Sequence, residues 1–375
     1  MPMFRILLLV VAVAFALLAS LTVVKAPDWS PWKLAVLAGE FGHWVAGATA
    51  MFAATVLIGG RGAPGWAWPT AGLAAVATGL LLVPTWQAWR LGRELPARLE
   101  RAFGKQEVGR AAFSPAAWFG RDPEQVAVTT LQPAPGLPLD FYRAQRSDGR
   151  PAPCVIVVHG GGWDSGDRTQ LAGLNHWLAR SGYAVAAISY RLAPQHRWPA
   201  PREDLRAAIA WLKANAGELG IDPGNFVLLG RSAGGQIVQA TAYAGNDPAI
   251  RGIVALYAPS DLIFGYVNTH ENDMLKSPAL MRQYLGGTPE TARAAYESAS
   301  ALYLAGPGAP PTLLLQGTID ALVWYRHSER LAAKLAEHRV PHVHVALPWA
   351  THAFEFNLHG PGGQLTTYAL AWFLA

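Results

Sequence analysis

The sequence predicts a chain of two unlike parts: an all-α membrane region of three transmembrane helices, followed by an α/β domain with a mostly parallel sheet covered by helices on both faces. Three observations carry this. The first ninety residues hold three apolar segments, each about as long as a helix needs to cross a bilayer. From residue 121 onward, short apolar strands alternate with helical stretches. Between one such strand and the next helix lies Gly230-Arg231-Ser232-Ala233-Gly234, a G-x-S-x-G sequence in the context that motif requires.

The apolar segments run over about residues 3–24, 34–58 and 66–89. Their separators are short and turn-like, with Pro27 and Asp28 in the first and a glycine-rich run in the second. Trp29, Trp32, Trp66, Trp68, Trp86 and Trp89 fall at segment ends, where indole rings settle at the headgroup level. Charged residues make up 15% of the chain, against about 25% in an average soluble protein, as expected if part of it faces lipid. The first segment, with Arg5 and small residues near Ser20, also has the outline of a signal peptide. Its long apolar run and the two spans that follow favour retention. Within the second segment, Glu40 and His43 share a helical face. They read as a pair near the interface, packed on a neighbouring helix through Gly39, Gly42, Ala46 and Gly47.

The formal net charge of +5 is concentrated after the third segment, at Arg90, Arg93, Arg98, Arg101 and Lys105. A basic collar beside a membrane accounts for it better than a nucleic-acid surface, and no nucleic-acid motif is present. With Lys25 and Lys33 around the first separator, the bias puts the C-terminal domain on the cytoplasmic side of a multi-pass protein. Residues 91–120 read as a basic helical linker. Leu91, Leu95 and Leu99 form an apolar stripe along the membrane interface, and Pro96 marks a kink or a fresh helix start.

Residues 121–375 suffice for one domain. Strands are predicted at 126–131, 137–143, 154–158, 184–190, 226–229, 253–257, 312–315 and 343–347, with helices between them. Cys154, the single cysteine, precedes an apolar run and reads as a buried core residue. No cofactor or metal is expected. His342 and His344 share a strand face without a third ligand nearby, and read as ordinary strand surface.

The chemistry begins at Ser232. A sharp strand-to-helix turn lifts its hydroxyl above the sheet, and the helix that follows points free N–H groups at the same place. His159-Gly160-Gly161-Gly162-Trp163 follows another strand, and its glycines let backbone N–H groups approach a substrate carbonyl. The amides of Gly161, Gly162 and Ala233 are the expected oxyanion donors, each worth about 3 kcal/mol, with Trp163 N–H as a substitute. The run lacks the Lys-Ser/Thr pair of a phosphate loop, and His159 reads as the residue that holds it. On a fold with this strand–G-x-S-x-G–helix turn, an acid and a histidine must follow the serine in that order. Asp320 and His352 do so, each on the loop after a predicted strand, which brings all three to one sheet edge.

Residues 122–375 resemble the hormone-sensitive-lipase-like branch of the α/β hydrolases and the carboxylesterases near it. The resemblance is carried by the His159–Trp163 run, Ser189-Tyr-Arg-Leu-Ala-Pro194, Pro199…Asp204…Trp211, Gly230–Gly235, Asp320 and His352. It implies an α/β-hydrolase fold and a serine esterase acting on a small-molecule ester, without a cofactor. It also implies a small cap over about residues 262–303, where Phe264 and Tyr266, with Trp163, would contact substrate. The sequence departs from that branch at Arg231, where an acid is usual, and in having a membrane region in place of a large N-terminal lid. In these respects it is similar to feruloyl-esterase-like, prenylcysteine-methylesterase-like and kynurenine-formamidase-like members, so amide and formamide cleavage stay open beside ester hydrolysis. A non-catalytic binding protein on the same fold would be expected to lose a triad member, and none is missing.

Overall fold

The computed structural model describes residues 2–62, 64–122 and 124–375; of the second separator, Ala63 lies outside the described residues. Three long helices come first: α1 (Pro2–Ser20), α2 (Trp29–Gly59) and α3 (Pro64–Phe103). All three are long and apolar enough to cross a membrane. Small residues let them approach closely: a Cβ on Gly42 would come 2.9 Å from the Leu81 carbonyl of α3. Phe15 of α1 meets Phe52 of α2 edge to face.

The strands are β1 (Val128–Ala134), β2 (Leu137–Tyr142), β3 (Ala152–Val158), β4 (Ala184–Ile188), β5 (Ile221–Arg231), β6 (Ile250–Leu256), β7 (Thr312–Gly317) and β8 (His342–Leu347). Every predicted strand is present. They form one eight-stranded sheet in the order β1-β2-β4-β3-β5-β6-β7-β8. The β1–β2 and β2–β4 pairs are antiparallel; the other pairs are parallel. Parallel pairing needs crossover helices on both faces, which is why β4 is buried along its whole length while the edge strand β8 alternates. The crossovers and cap are α4 (Ala172–Arg180), α5 (Ala200–Ala214), α6 (Ala216–Leu219), α7 (Ala233–Tyr243), α8 (Leu262–Val267), α9 (Ser277–Leu285), α10 (Arg293–Ala299), α11 (Ala301–Leu304), α12 (Arg326–Glu337) and α13 (Pro361–Leu374). One face of the sheet packs on α5, α7 and α12, the other on α4 and α13. Cys154 is buried in the first of these layers, and burial pushes its thiol up to about 12.

Two expectations for the linker are corrected. Residues 91–103 are the last turns of α3, which runs through Pro96 without a break. Forty residues at 1.5 Å each make a rod of about 60 Å, roughly twice the hydrocarbon thickness, so α3 must leave the apolar bundle. Its Leu95 and Leu99 are fully buried beside Leu365 and Ala369 of α13, not laid along a membrane surface. The stripe has the spacing that any apolar neighbour satisfies, and the sheet face takes it. The same docking covers β8: Arg98 donates to the His344 carbonyl at 2.5 Å, so His344 is half-buried under α3 and not open strand surface.

Helix α2 is likewise tied to the sheet domain. Gly39 packs on Trp349, and His43 stacks on Trp118 at 3.9 Å between ring centroids. Glu40 is buried, and its carboxylate accepts the Gly362 N–H at 2.9 Å, capping the start of α13. Of the small residues expected to face a neighbouring helix, Gly42 does so and Gly39 meets the sheet domain, while a Cβ on Gly47 would meet nothing within 4 Å.

Candidate active site

Ser232 sits between β5 and α7 with φ 52° and ψ −120°, a conformation that costs a side-chain-bearing residue of order 1–3 kcal/mol. The turn is enforced by its neighbours. A Cβ on Gly234 would fall 2.2 Å from the Val158 carbonyl, so only glycine lets the elbow press against β3. Ser232 N–H donates to the Leu256 carbonyl at 2.9 Å, anchoring the elbow to β6.

The glycine loop follows β3 beside this elbow. Gly161 has φ +113°, and a Cβ there would meet the Ser165 carbonyl at 2.1 Å. Gln170 accepts the Gly160 N–H at 2.7 Å. Among the described residues, no protein acceptor takes the amides of Gly161, Gly162 or Ala233. Ala233 opens α7, so its N–H has no intrahelical partner. His159 is buried, stacks on Tyr190 at 4.2 Å and holds its Nδ1 2.6 Å from the Gly160 carbonyl. It secures the loop as expected, and burial lowers its pKa.

Asp320 and His352 meet across the loops after β7 and β8. The His352 Nδ1 lies 2.7 Å from Asp320 Oδ2. Asp320 is buried and its other oxygen accepts the N–H groups of Leu322 at 2.8 Å and Val323 at 3.0 Å. With Nδ1 donating to the carboxylate, Nε2 of His352 is left as the acceptor. Ser232 and His352 line one cavity of about 560 Å³. No hydrogen bond joins the two side chains among the described residues.

Residues not singled out in the sequence complete the arrangement. Gln316, on β7, donates to Asp320 Oδ2 at 2.9 Å and to the Val323 carbonyl at 3.1 Å, and so fixes the carboxylate. Arg231 is paired with Glu355 at 2.8 Å, both fully buried. The Tyr257 hydroxyl donates to the same Glu355 oxygen at 2.5 Å, and its ring lies 4.2 Å from His352. Burial, then the neighbouring carboxylate, push the Tyr257 phenol well above its ordinary range, so it stays a donor. The basic residue before the serine thus has its acid three places after the histidine. His327 also lines the cavity, but its Nδ1 accepts the Asp261 N–H at 3.3 Å and burial holds it down at about 4.

Helices α8 to α11 make up the segment expected to form the cap. Phe264 lines the cavity and stacks on Trp324 at 5.5 Å. Trp163 also lines it, locked by its stack on Tyr284 at 4.5 Å and by donation from its indole to Gln236 at 2.9 Å. Tyr266 does not reach the cavity wall. Its hydroxyl accepts from Arg282 at 3.2 Å and its ring packs on Tyr296, because alternate sides of the short helix α8 face inward and outward.

The model of the BD-FAE family matches residues 139–335, more than half of the chain. The chain belongs to this family. Among curated proteins, the esterase LipC of Mycobacterium tuberculosis is 28% identical over 68% of this chain and 63% of its own length. The probable carboxylic ester hydrolase LipM of the same organism is 30% identical over 60% of this chain and 54% of its own length. The chain therefore spans between about half and two thirds of these relatives. Among solved structures, a bacterial heroin esterase superposes with a TM-score of 0.57 at 23% identity, covering 68% of this chain and 87% of that one. EstE1, a carboxylesterase cloned from a metagenomic library, superposes at 0.57 and 22% identity over 76% and 95%. These likenesses bear out the α/β-hydrolase fold.

Proposed function

We propose that this BD-FAE family member is a membrane-anchored serine esterase hydrolysing carboxylic esters, with Ser232 as nucleophile, His352 as base and Asp320 as the residue that orients the base. The observation that carries the reading is the 2.7 Å His352–Asp320 hydrogen bond, in one cavity with a serine held at positive φ. His352 Nε2 takes the Ser232 proton as the oxygen attacks the ester carbonyl, and Asp320 stabilises the imidazolium. The oxyanion rests on the amides of Gly161, Gly162 and Ala233. His352 then protonates the departing alkoxide, which leaves as the alcohol. Water, deprotonated by His352, cleaves the acyl-serine and releases the acid. The apolar walls around Phe264 and Met281 suit an acyl or aryl group. Names of relatives such as LipC and LipM favour ester over amide cleavage.

Helices α1, α2 and the first part of α3 anchor the enzyme in a bilayer, with the sheet domain on the cytoplasmic side. The basic residues at the end of α3 support that orientation. Replacing Ser232→Ala is expected to lower ester turnover about 10⁴-fold or more while the variant stays folded. Undiminished turnover in a folded Ser232→Ala protein would refute the assignment.

A further inference from the structure

One wall of the cavity that holds Ser232 and His352 does not come from the sheet domain. Trp29 and Trp32, in the first turn of α2, line it. Their rings meet edge to face at 5.5 Å. The loop just before them, residues 21–28, also reaches the domain: Lys25 Nζ lies 5.7 Å from the centroid of Trp324, another lining residue. The N-terminal region and the domain thus share the cavity, and the lid expected to be missing is supplied by the junction of α1 and α2.

On the membrane-anchored reading that junction lies at the bilayer surface. A loop joining two membrane-crossing helices lies at the membrane surface, and indole rings at such ends sit at the headgroup level. Trp29 and Trp324 line the cavity and are exposed apolar side chains, and exposed Val23 and Val24 lie in the same loop as Lys25, which reaches Trp324. Exposed apolar surface next to apolar helices is where lipid, not water, is the ordinary neighbour. On the membrane-anchored reading the mouth opens at the hydrocarbon–headgroup boundary, where a chain already dissolved in the bilayer can enter without crossing water.

We propose that Trp29 and Trp32 form an acyl-binding wall, and that the substrates are esters of long acyl chains drawn from the bilayer. This rests on the membrane-anchored esterase reading and names the substrate class of that same site. The two indoles contact the acyl chain and select for it; they take no part in proton transfer.

The test uses the full chain in lipid nanodiscs with p-nitrophenyl acetate and p-nitrophenyl dodecanoate. In the Trp29→Ala, Trp32→Ala double variant, the ratio of kcat/KM for the long ester to that for the short ester is expected to fall about tenfold, the loss for one aromatic contact with a buried chain. Trp32→Phe should restore most of it, and Trp32→Leu carries the same test should the double variant not fold. An equal loss on both esters, or no loss on either, overturns the acyl wall. In the wild type, adding lipid at fixed bulk ester should slow dodecanoate turnover by diluting it in the bilayer; an unchanged rate overturns the bilayer route. A wild type inert to both esters sinks the esterase reading together with this inference, whereas turnover with unaltered selectivity sinks the inference alone.

Discussion

Strand β3 is buried over nearly its whole length, whereas helix α1 leaves Phe4, Ile6, Leu7 and Leu17 open on its surface. Both sequences are almost entirely apolar. In the sheet domain such a run is covered by helices on two faces, and the residues at its end are held by backbone hydrogen bonds and glycine contacts. In α1 the run is covered on one side only, and its free side is exposed and apolar. The difference teaches that apolarity alone says that a segment avoids water, while the neighbours decide whether it positions chemistry or anchors a chain. The later part of α3 shows the crossover: one rod is apolar and exposed at Val76 and Leu82, then buried against the sheet domain at Leu95 and Leu99.

The contrast can be broken most severely on the sheet side. Asp320→Asn keeps the shape of the loop but removes the acceptor that fixes the His352 tautomer, and turnover should fall on the order of 10⁴-fold. A change of less than tenfold in steady-state kinetics would mean that the carboxylate only builds the loop. Next comes Glu355→Ala, which strands the fully buried Arg231 without its partner. Such an orphaned charge costs about 3–5 kcal/mol, so thermal unfolding of the variant should come well below wild type. A neutral result would show that the pair is not what ties the elbow to the histidine loop.

A smaller effect separates the two halves of the apolar region. Leu99→Ala empties a buried site and should cost about 2–5 kcal/mol. Leu17→Ala, on an exposed face, should change stability by about 0.5 kcal/mol or less. Equal losses in the same detergent would show that α1 is packed as a core helix and not as an anchor.

How much of this is legible in the sequence differs between the regions for the same physical reason. Ser232, Gly161, Gly162 and Ala233 are readable because local geometry dictates them: a strand, a turn that tolerates only glycine on either side, and a helix start. Asp320 and His352 are readable because each follows a strand whose parallel neighbours force its end to the same edge. Gln316 and Glu355 are not, since their roles depend on which loops meet, and a polar residue near a strand end has many other uses. Tyr266 misleads because an aromatic residue in a cap can face either way on a six-residue helix. The N-terminal region is legible as three apolar helices, but periodicity carries no record of partners. Nothing in the spacing of Leu91, Leu95 and Leu99 distinguishes a membrane surface from a sheet, and nothing around Trp29 distinguishes a headgroup anchor from a cavity wall. Glu40 stands out as unusual, yet its acceptor role at Gly362 belongs to a helix more than three hundred residues away.

The measurement that bears most directly on the central claim is covalent labelling of the intact chain with a fluorophosphonate, followed by peptide mass spectrometry. An activated serine beside His352 predicts a single phosphonylated site, Ser232, and a labelling rate that collapses in His352→Ala. An adduct on another residue, or a Ser232 that stays unmodified in the folded protein, would contradict it.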